Sequence, residues 1–354
     1  MLGAEQTQAA YFFQKVYKQT LSVFEQQEVA LSVTISLCGL KVRLDFVGAT
    51  FAPKFLDAIA HLKILDNNQA DYCVHIWSED ETGITMPNNL RSYKEIQFRG
   101  DIPSLSSDVV KTAYFTHSRT LNTIDLNEKI AVVCAKSFEE IPAFEVACPL
   151  RAVFSWILQA NQMTFMHVAA VGNQHQAVLI AGDSGAGKST TAISCLEFGM
   201  DYLGDDVCAI SLQDNFPQVF SVYSSAKVMT KSIKQFSFLK PYQANLFTHA
   251  GTSQEKQVYF LGKMNQMTNA KRIIKAVVMP SFEKPNAMLK PFPPGRAARI
   301  MSASTSSLIP GSNALYLLQA AQLTRSVPVL QLNLSIDFEK NCRCIENLLN
   351  ATEF

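Results

Sequence analysis

The chain has 354 residues, of which 48% are hydrophobic and 17% charged, against roughly 25% charged in an average soluble protein. Thirty-one Lys and Arg face thirty Asp and Glu, so the net charge of +1 excludes a global field that would draw in nucleic acid or an anionic membrane. That length allows two domains with cores of their own, and the low charge fraction is compatible with surface buried between the subunits of a homo-oligomer.

The first residues, MLGAEQTQAAYFFQ, have neither a basic n-region nor an apolar h-region, and no apolar run approaches the roughly eighteen residues of a membrane span. A soluble, cytoplasmic protein is expected. Residues 6–25 set Phe13, Val16, Tyr17, Leu21 and Phe24 at helical spacing, as an amphipathic helix packing on the next domain would. Residues 30–47 alternate apolar and polar in two runs around Gly39, which predicts a hairpin, and a short helix follows over 51–62. Strand-like pieces recur at 72–77, 93–98, 113–117 and 130–134, separated by turn-rich segments at 78–83 and 103–107. Together these predict a smaller α+β domain over residues 1–160, serving substrate or partner recognition. His61, His75 and His117 stand alone in it and read as structural.

Residues 148–162 (CPLRAVFSWILQANQ) predict a helix, and the domain boundary is placed there. A strand over 163–171 and a turn over 172–176 then form a hairpin that feeds the most informative stretch of the chain. Val178, Leu179, Ile180 and Ala181 read as a buried strand, GDSGAGKS follows, and a helical pattern opens at Ser189. This is the phosphate-binding loop pattern, Gly-xxxx-Gly-Lys-Ser, between a strand and a helix. Glycines at 182, 185 and 187 let successive backbone N–H groups point inward at phosphate oxygens, with Asp183, Ser184 and Ala186 between them. Lys188 supplies a compact positive charge for the outer phosphates. Ser189 and Thr190 open the helix, whose N-terminus adds free N–H donors, and the Ser189 hydroxyl is placed to reach Mg²⁺.

That helix ends at Gly199, and a strand beginning at Tyr202 carries Gly204-Asp205-Asp206. Seventeen residues separate Lys188 from Asp205 (205 − 188 = 17), a context in which adjacent acids read as a Mg²⁺ ligand and a catalytic base. Residues 211–257 are polar and rich in lysine, as loops over a phosphoryl-transfer site are and as a solvated basic surface also is; Lys227, in SSAKV, stands out between apolar residues. Strands at 273–279 and 288–290, a Pro-rich turn FPPGR presenting Arg296, a helix at 313–323, a strand at 329–334 and a helix near 338–349 complete the chain. Eight scattered cysteines without CxxC or metal-style pairing read as buried thiols in a reducing compartment.

Three features agree at once: His167, fifteen residues before Gly182 (182 − 167 = 15), the loop GDSGAGKS, and the pair Asp205–Asp206. In these the chain resembles the HPr kinase/phosphorylase family of P-loop serine kinases, whose fold is related to phosphoenolpyruvate carboxykinase. PLRAVF, SAKV and LQLNLSIDFEKN are similar to a group of HPr-kinase-like proteins that includes serine kinases of lasso-peptide tailoring, while the Glu-x-Arg-Gly-x-Gly segment of the phosphorylase reaction has no match. The resemblance implies an α/β fold: a carboxykinase-like P-loop kinase domain over 161–354 after the smaller α+β domain. It implies ATP and Mg²⁺ as cofactors and, as partner, a peptide or small protein with an acceptor serine. Lys188 and the loop amides would hold the β- and γ-phosphates, Ser189 and Asp206 the Mg²⁺, and Asp205 would take the acceptor proton. His167 would contact the transferring group, orient Asp205, or serve as a structural strand residue; Arg296 matches a late Pro-Gly-Arg turn of the family. A nucleotide-binding module without transfer and a small-molecule kinase are the alternatives.

Overall fold

A computed structural model describes residues 4–48, 52–65, 69–87, 95–244, 256–264, 267, 269, 271–283, 286–311 and 313–351. The chain is mixed α/β with several sheets and divides into two compact units, one of Met1–Leu56 with Leu62–Asn161 and one of Asp57–His61 with Gln162–Phe354.

In the first unit, α1 (Ala4–Gln26) is followed by β1 (Val29–Leu37) and β2 (Leu40–Val47), a hairpin turning at Cys38 and Gly39, both with positive φ. Then come α2 (Ala52–Asp57), β3 (Tyr72–Ser78), α3 (Glu79–Thr82), β4 (Val110–Phe115), β5 (Thr120–Asp125), β6 (Ile130–Ala135), α4 (Ala143–Val146) and α5 (Arg151–Ala160). The six strands pair in the order β1-β2-β3-β6-β5-β4, parallel at β2–β3 and β3–β6 and antiparallel elsewhere. Phe12, Val16 and Val23 of α1 pack with Trp77, Leu121, Val132 and Cys134 on one face, and the Trp77 Nε1–H donates to Thr20 Oγ1 at 3.0 Å. Of the strand expected over 93–98, residues 93–94 lie outside the described residues and 95–98 are turn and loop. The turn expected over 78–83 contains α3, closed by Gly83 in the left-handed region.

The second unit contains β7 (Met163–Met166), β8 (Ala169–Gly172), β9 (Gln176–Ile180), α6 (Lys188–Glu197), β10 (Asp201–Gly204), β11 (Cys208–Ser211), β12 (Gln218–Phe220), β13 (Ser225–Met229), β14 (Lys256–Phe260), β15 (Arg272–Ser281), β16 (Met288–Pro291), α7 (Pro294–Ser306), α8 (Asn313–Ser326), β17 (Val329–Asn333) and α9 (Phe338–Asn350). The main sheet runs β10-β8-β9-β15-β12-β11-β7, with β17 parallel to β15 and β16 antiparallel to β17. The P-loop strand β9 is buried on both faces: Val178 and Ile180 pack with α6 and α9, while Ala177 and Leu179 pack with α7 and α8. That explains its unbroken apolar run.

Residues 163–171 are two strands rather than one. β7 pairs with β11, whereas β8 lies between β9 and β10, and the chain changes place in the sheet at His167. FPPGR is likewise not a free turn: Pro294 stands at the first position of α7, where a missing N–H costs nothing. Since β8 is antiparallel to β9 and β10 is antiparallel to β8, the strands β9, β10, β15 and β17 all point the same way. Their carboxyl ends form one edge, the edge at which open α/β sheets bind ligands. Among the described residues no helix is long and apolar enough to cross a membrane.

Candidate functional site

The site is assembled at that edge. β9 delivers Gly182, and α6 begins at Lys188, so residues 182–187 turn between a buried strand and a helix N-terminus whose first N–H groups have no intrahelical partner. Asp183, Ser184 and Gly185 form the exposed tip, and Ala186, Gly187, Ser189 and Thr190 are half-buried. Gly187 has φ +99°, and a Cβ there would lie 2.7 Å from Leu334 Cδ1, so both conformation and space demand glycine. Lys188 is 6% exposed, and its Nζ donates to its own loop's carbonyls, Gly182 O at 2.8 Å and Asp183 O at 3.1 Å. Burial lowers its pKa, opposed by the charges of Asp205 and Asp206.

Beyond the end of β10 stand the two acids, in unlike surroundings. Asp205 is 2% exposed; its Oδ1 accepts from Ser189 Oγ at 2.9 Å and from the Asp206 backbone N–H at 2.9 Å, and its Oδ2 is buried without a hydrogen-bond partner. Burial, and then the charge of Asp206, push its carboxyl up to about 6. Asp206 has φ +68°, an uncommon conformation for a residue with a Cβ and one that the surrounding structure must impose. Its Oδ2 pairs with Lys227 Nζ at 2.7 Å, and His167 Nε2 lies 3.7 Å from its Oδ1. Burial alone would raise this carboxyl, but the Lys227 ammonium and His167 outweigh it and hold it well below the usual carboxylate range. His167 is also anchored through its backbone, whose N–H donates to Thr305 Oγ1 of α7 at 3.0 Å. Lys227 on β13 and Lys256 on the paired strand β14 bring further positive charge, and that of Lys256 is felt at Lys188 and Asp205.

The structure sets the Ser189 hydroxyl on Asp205, and the left-handed turn at Asp206 carries that side chain toward His167 and Lys227. His167 accordingly faces Asp206, not Asp205. Arg296 is exposed in the first turn of α7 with its guanidinium over the Phe292 ring, and among the described residues no contact joins it to Lys188, Asp205 or Asp206. Lys227 carried a sequence signal, a lysine between apolar residues, but no role. Thr305 carried none, since its part is played through a backbone N–H 138 residues away.

The donor set suits Mg²⁺. It is all oxygen, it includes a buried carboxylate oxygen left without a partner, and Mg²⁺ commonly takes only one or two carboxylates besides waters and phosphate oxygens. Among the described residues no group of three His, Cys, Asp or Glu side chains is spaced to hold a metal unaided.

No family model matches the chain, and no curated protein does. Among solved structures it is similar to the HPr(Ser) kinase/phosphatase from Coxiella burnetii, with 12% identity over 52% of this chain and 88% of that one, at a TM-score of 0.29.

Proposed function

We propose that the second unit binds a nucleoside triphosphate with Mg²⁺ and transfers the terminal phosphoryl group to a hydroxyl, in an HPr-kinase-like, carboxykinase-related P-loop domain. The observation that carries this reading is the division of labour between adjacent acids beside a P-loop lysine: one carboxylate on the loop serine, the other held ionised by a lysine. Ser189 and Asp205 would hold the metal, since the buried Asp205 carboxyl, pushed up to about 6, forms no ion pair among the described residues. Mg-ATP supplies the phosphoryl group, with negative charge spread over its oxygens. Lys188, the loop N–H groups and the start of α6 neutralise that charge, and Lys188 exchanges its two carbonyl partners for phosphate oxygens. Asp206, with its side chain 16% exposed and aligned by Lys227 and His167, accepts the proton of the incoming hydroxyl.

The acceptor we propose is a serine of a peptide or small protein, recognised with the help of the first unit, in a reducing cytoplasm where the eight cysteines stay free thiols. The support is the resemblance in GDSGAGKS, His167 and the Asp pair, together with the binding-competent edge of the sheet. The test incubates the full chain with γ-labelled ATP, Mg²⁺ and a library of serine-containing peptides. Labelled peptide is expected; tight ATP binding with no labelled peptide, protein or small hydroxyl compound would instead make the chain a nucleotide-gated binding module.

A further inference from the structure

At the carboxyl edge the Asp pair lies beyond β10, two strands from β9 on one side, and β15 and β17 lie on the other. Beyond β15 stands Phe282, 66% exposed, and beyond β17 stand Leu334, 6% exposed, and Ile336, 91% exposed. Phe282 and Leu334 are neighbours just past the last pairing of the two strands, Ser281 with Asn333, where Leu334 N–H donates to Ser281 O at 2.7 Å. Both lie beside the last glycine of the loop: a Cβ added at Gly187 would lie 2.7 Å from Leu334 Cδ1 and 3.4 Å from Phe282 Cζ. Leu334 is thus buried next to the loop, and Phe282 is a largely exposed ring beside the loop's last glycine.

Single exposed apolar residues are ordinary, and Leu65 and Phe98 are more exposed than Phe282 without any such setting. The position of Phe282 is what distinguishes it. A triphosphate whose outer end points at Asp205, Asp206 and Lys227 crosses the loop toward α6, so its other end leaves on the β15 and β17 side. We infer that Phe282 is the stacking platform for the nucleobase of the bound triphosphate, with Leu334 beside it, and that it supplies the preference for a nucleotide over a base-free polyphosphate. This rests on the phosphate-loop reading above, and the experiment separates the two.

Calorimetry of the full chain with Mg-ATP and with Mg-tripolyphosphate, which has the phosphates and no base, is repeated for Phe282→Ala, Phe282→Trp and Lys188→Ala. Stacking of a base on an aromatic side chain predicts that Phe282→Ala weakens ATP binding on the order of tenfold to a hundredfold, leaves tripolyphosphate unchanged, and that Phe282→Trp restores ATP binding. Lys188→Ala weakens both ligands. Unchanged ATP affinity in Phe282→Ala, or equal losses for ATP and tripolyphosphate, overturns the platform while the loop assignment stands. If the wild type binds neither ligand, the loop assignment fails and the platform with it.

Discussion

The two units are built on sheets that share a device and differ in how they end. In the first, β2, β3 and β6 run parallel, and their carboxyl ends lead to Gly48, to the four-residue helix α3 and to loop; α3 opens with the acids Glu79, Asp80 and Glu81, but among the described residues no glycine-rich turn carrying a lysine leads into a helix there. In the second, each of the parallel strands β9, β10 and β15 ends in residues to which the proposed function gives a role: the glycine-rich loop, the Asp pair and Phe282. A parallel edge gives room and little else. What turns room into a site is a helix N-terminus entered through glycines and carboxylates whose charges are answered unequally, a buried one with an oxygen to spare and an accessible one locked to an ammonium.

The largest expected break in that comparison is Asp206→Asn. If Asp206 takes the acceptor proton, peptide labelling falls about 10² to 10⁴-fold while Mg-ATP affinity in calorimetry is kept. Asp205→Asn acts differently, raising the Mg²⁺ concentration needed for half-maximal binding of ATP. Should the two variants exchange phenotypes, Asp205 is the base and Asp206 the metal ligand, as the family resemblance implies. Next comes Lys188→Ala, for which we expect a loss of about 10² to 10³ in labelling together with weakened ATP binding, since it removes the ammonium that bonds the loop at Gly182 O and Asp183 O. Unaltered ATP affinity would remove the phosphate loop from the mechanism.

How much of this was legible in the sequence follows from the range of the interactions. The strand, loop and start of α6 are contiguous, and their pattern is set by backbone needs within a dozen residues, so they could be read directly. The two acids were equally visible, but their roles hang on one dihedral, φ at Asp206, and on which rotamer meets Ser189, and no spacing encodes either. Lys227 and Thr305 reach the site because β13 packs against α6 and α7 against β7, a non-local fact. The split of residues 163–171 into β7 and β8 was hidden because both halves are buried and apolar, leaving no alternation to mark the switch at His167. Arg296 shows the opposite error: Pro-Pro-Gly reads as a turn in isolation, yet proline at a first helical position is equally well suited to starting α7.

A smaller effect separates stability from chemistry within the second unit. His61, in the short segment of residues 57–61 that joins it, donates to or accepts from Ser221 Oγ at 2.9 Å, and burial lowers its pKa from 6.5 to about 4. A histidine whose folded pKa is depressed contributes stability that is fully present above 6.5 and lost as pH falls through that value toward 4, where the unfolded chain takes the proton that the folded one refuses. His61→Gln should therefore be more resistant to acid than the wild type, with the gap widening by about 2 to 3 kcal/mol between pH 7 and pH 4.5 in urea titrations. Parallel stability curves for the two proteins over that range would show that His61 is solvated when it charges.

The smallest effect is predicted in the first unit, and it serves as the control for the others. Thr20→Val keeps the shape of a fully buried side chain and removes one oxygen. That oxygen makes two hydrogen bonds, donating to Val16 O at 3.0 Å and accepting from Trp77 Nε1–H at 3.0 Å. The first loss is minor, because Val16 O lies within α1, where the backbone ladder supplies a donor. The second strands an indole N–H in an apolar core between α1 and the sheet, where no water competes to satisfy it. We expect a destabilisation of about 1 to 2 kcal/mol in denaturant titrations, with Mg-ATP affinity and labelling rate per folded molecule unchanged. A loss of nucleotide affinity in Thr20→Val at full folding would mean that the first unit shapes the phosphate site, and the contrast between a scaffold sheet and a working edge would have to be redrawn.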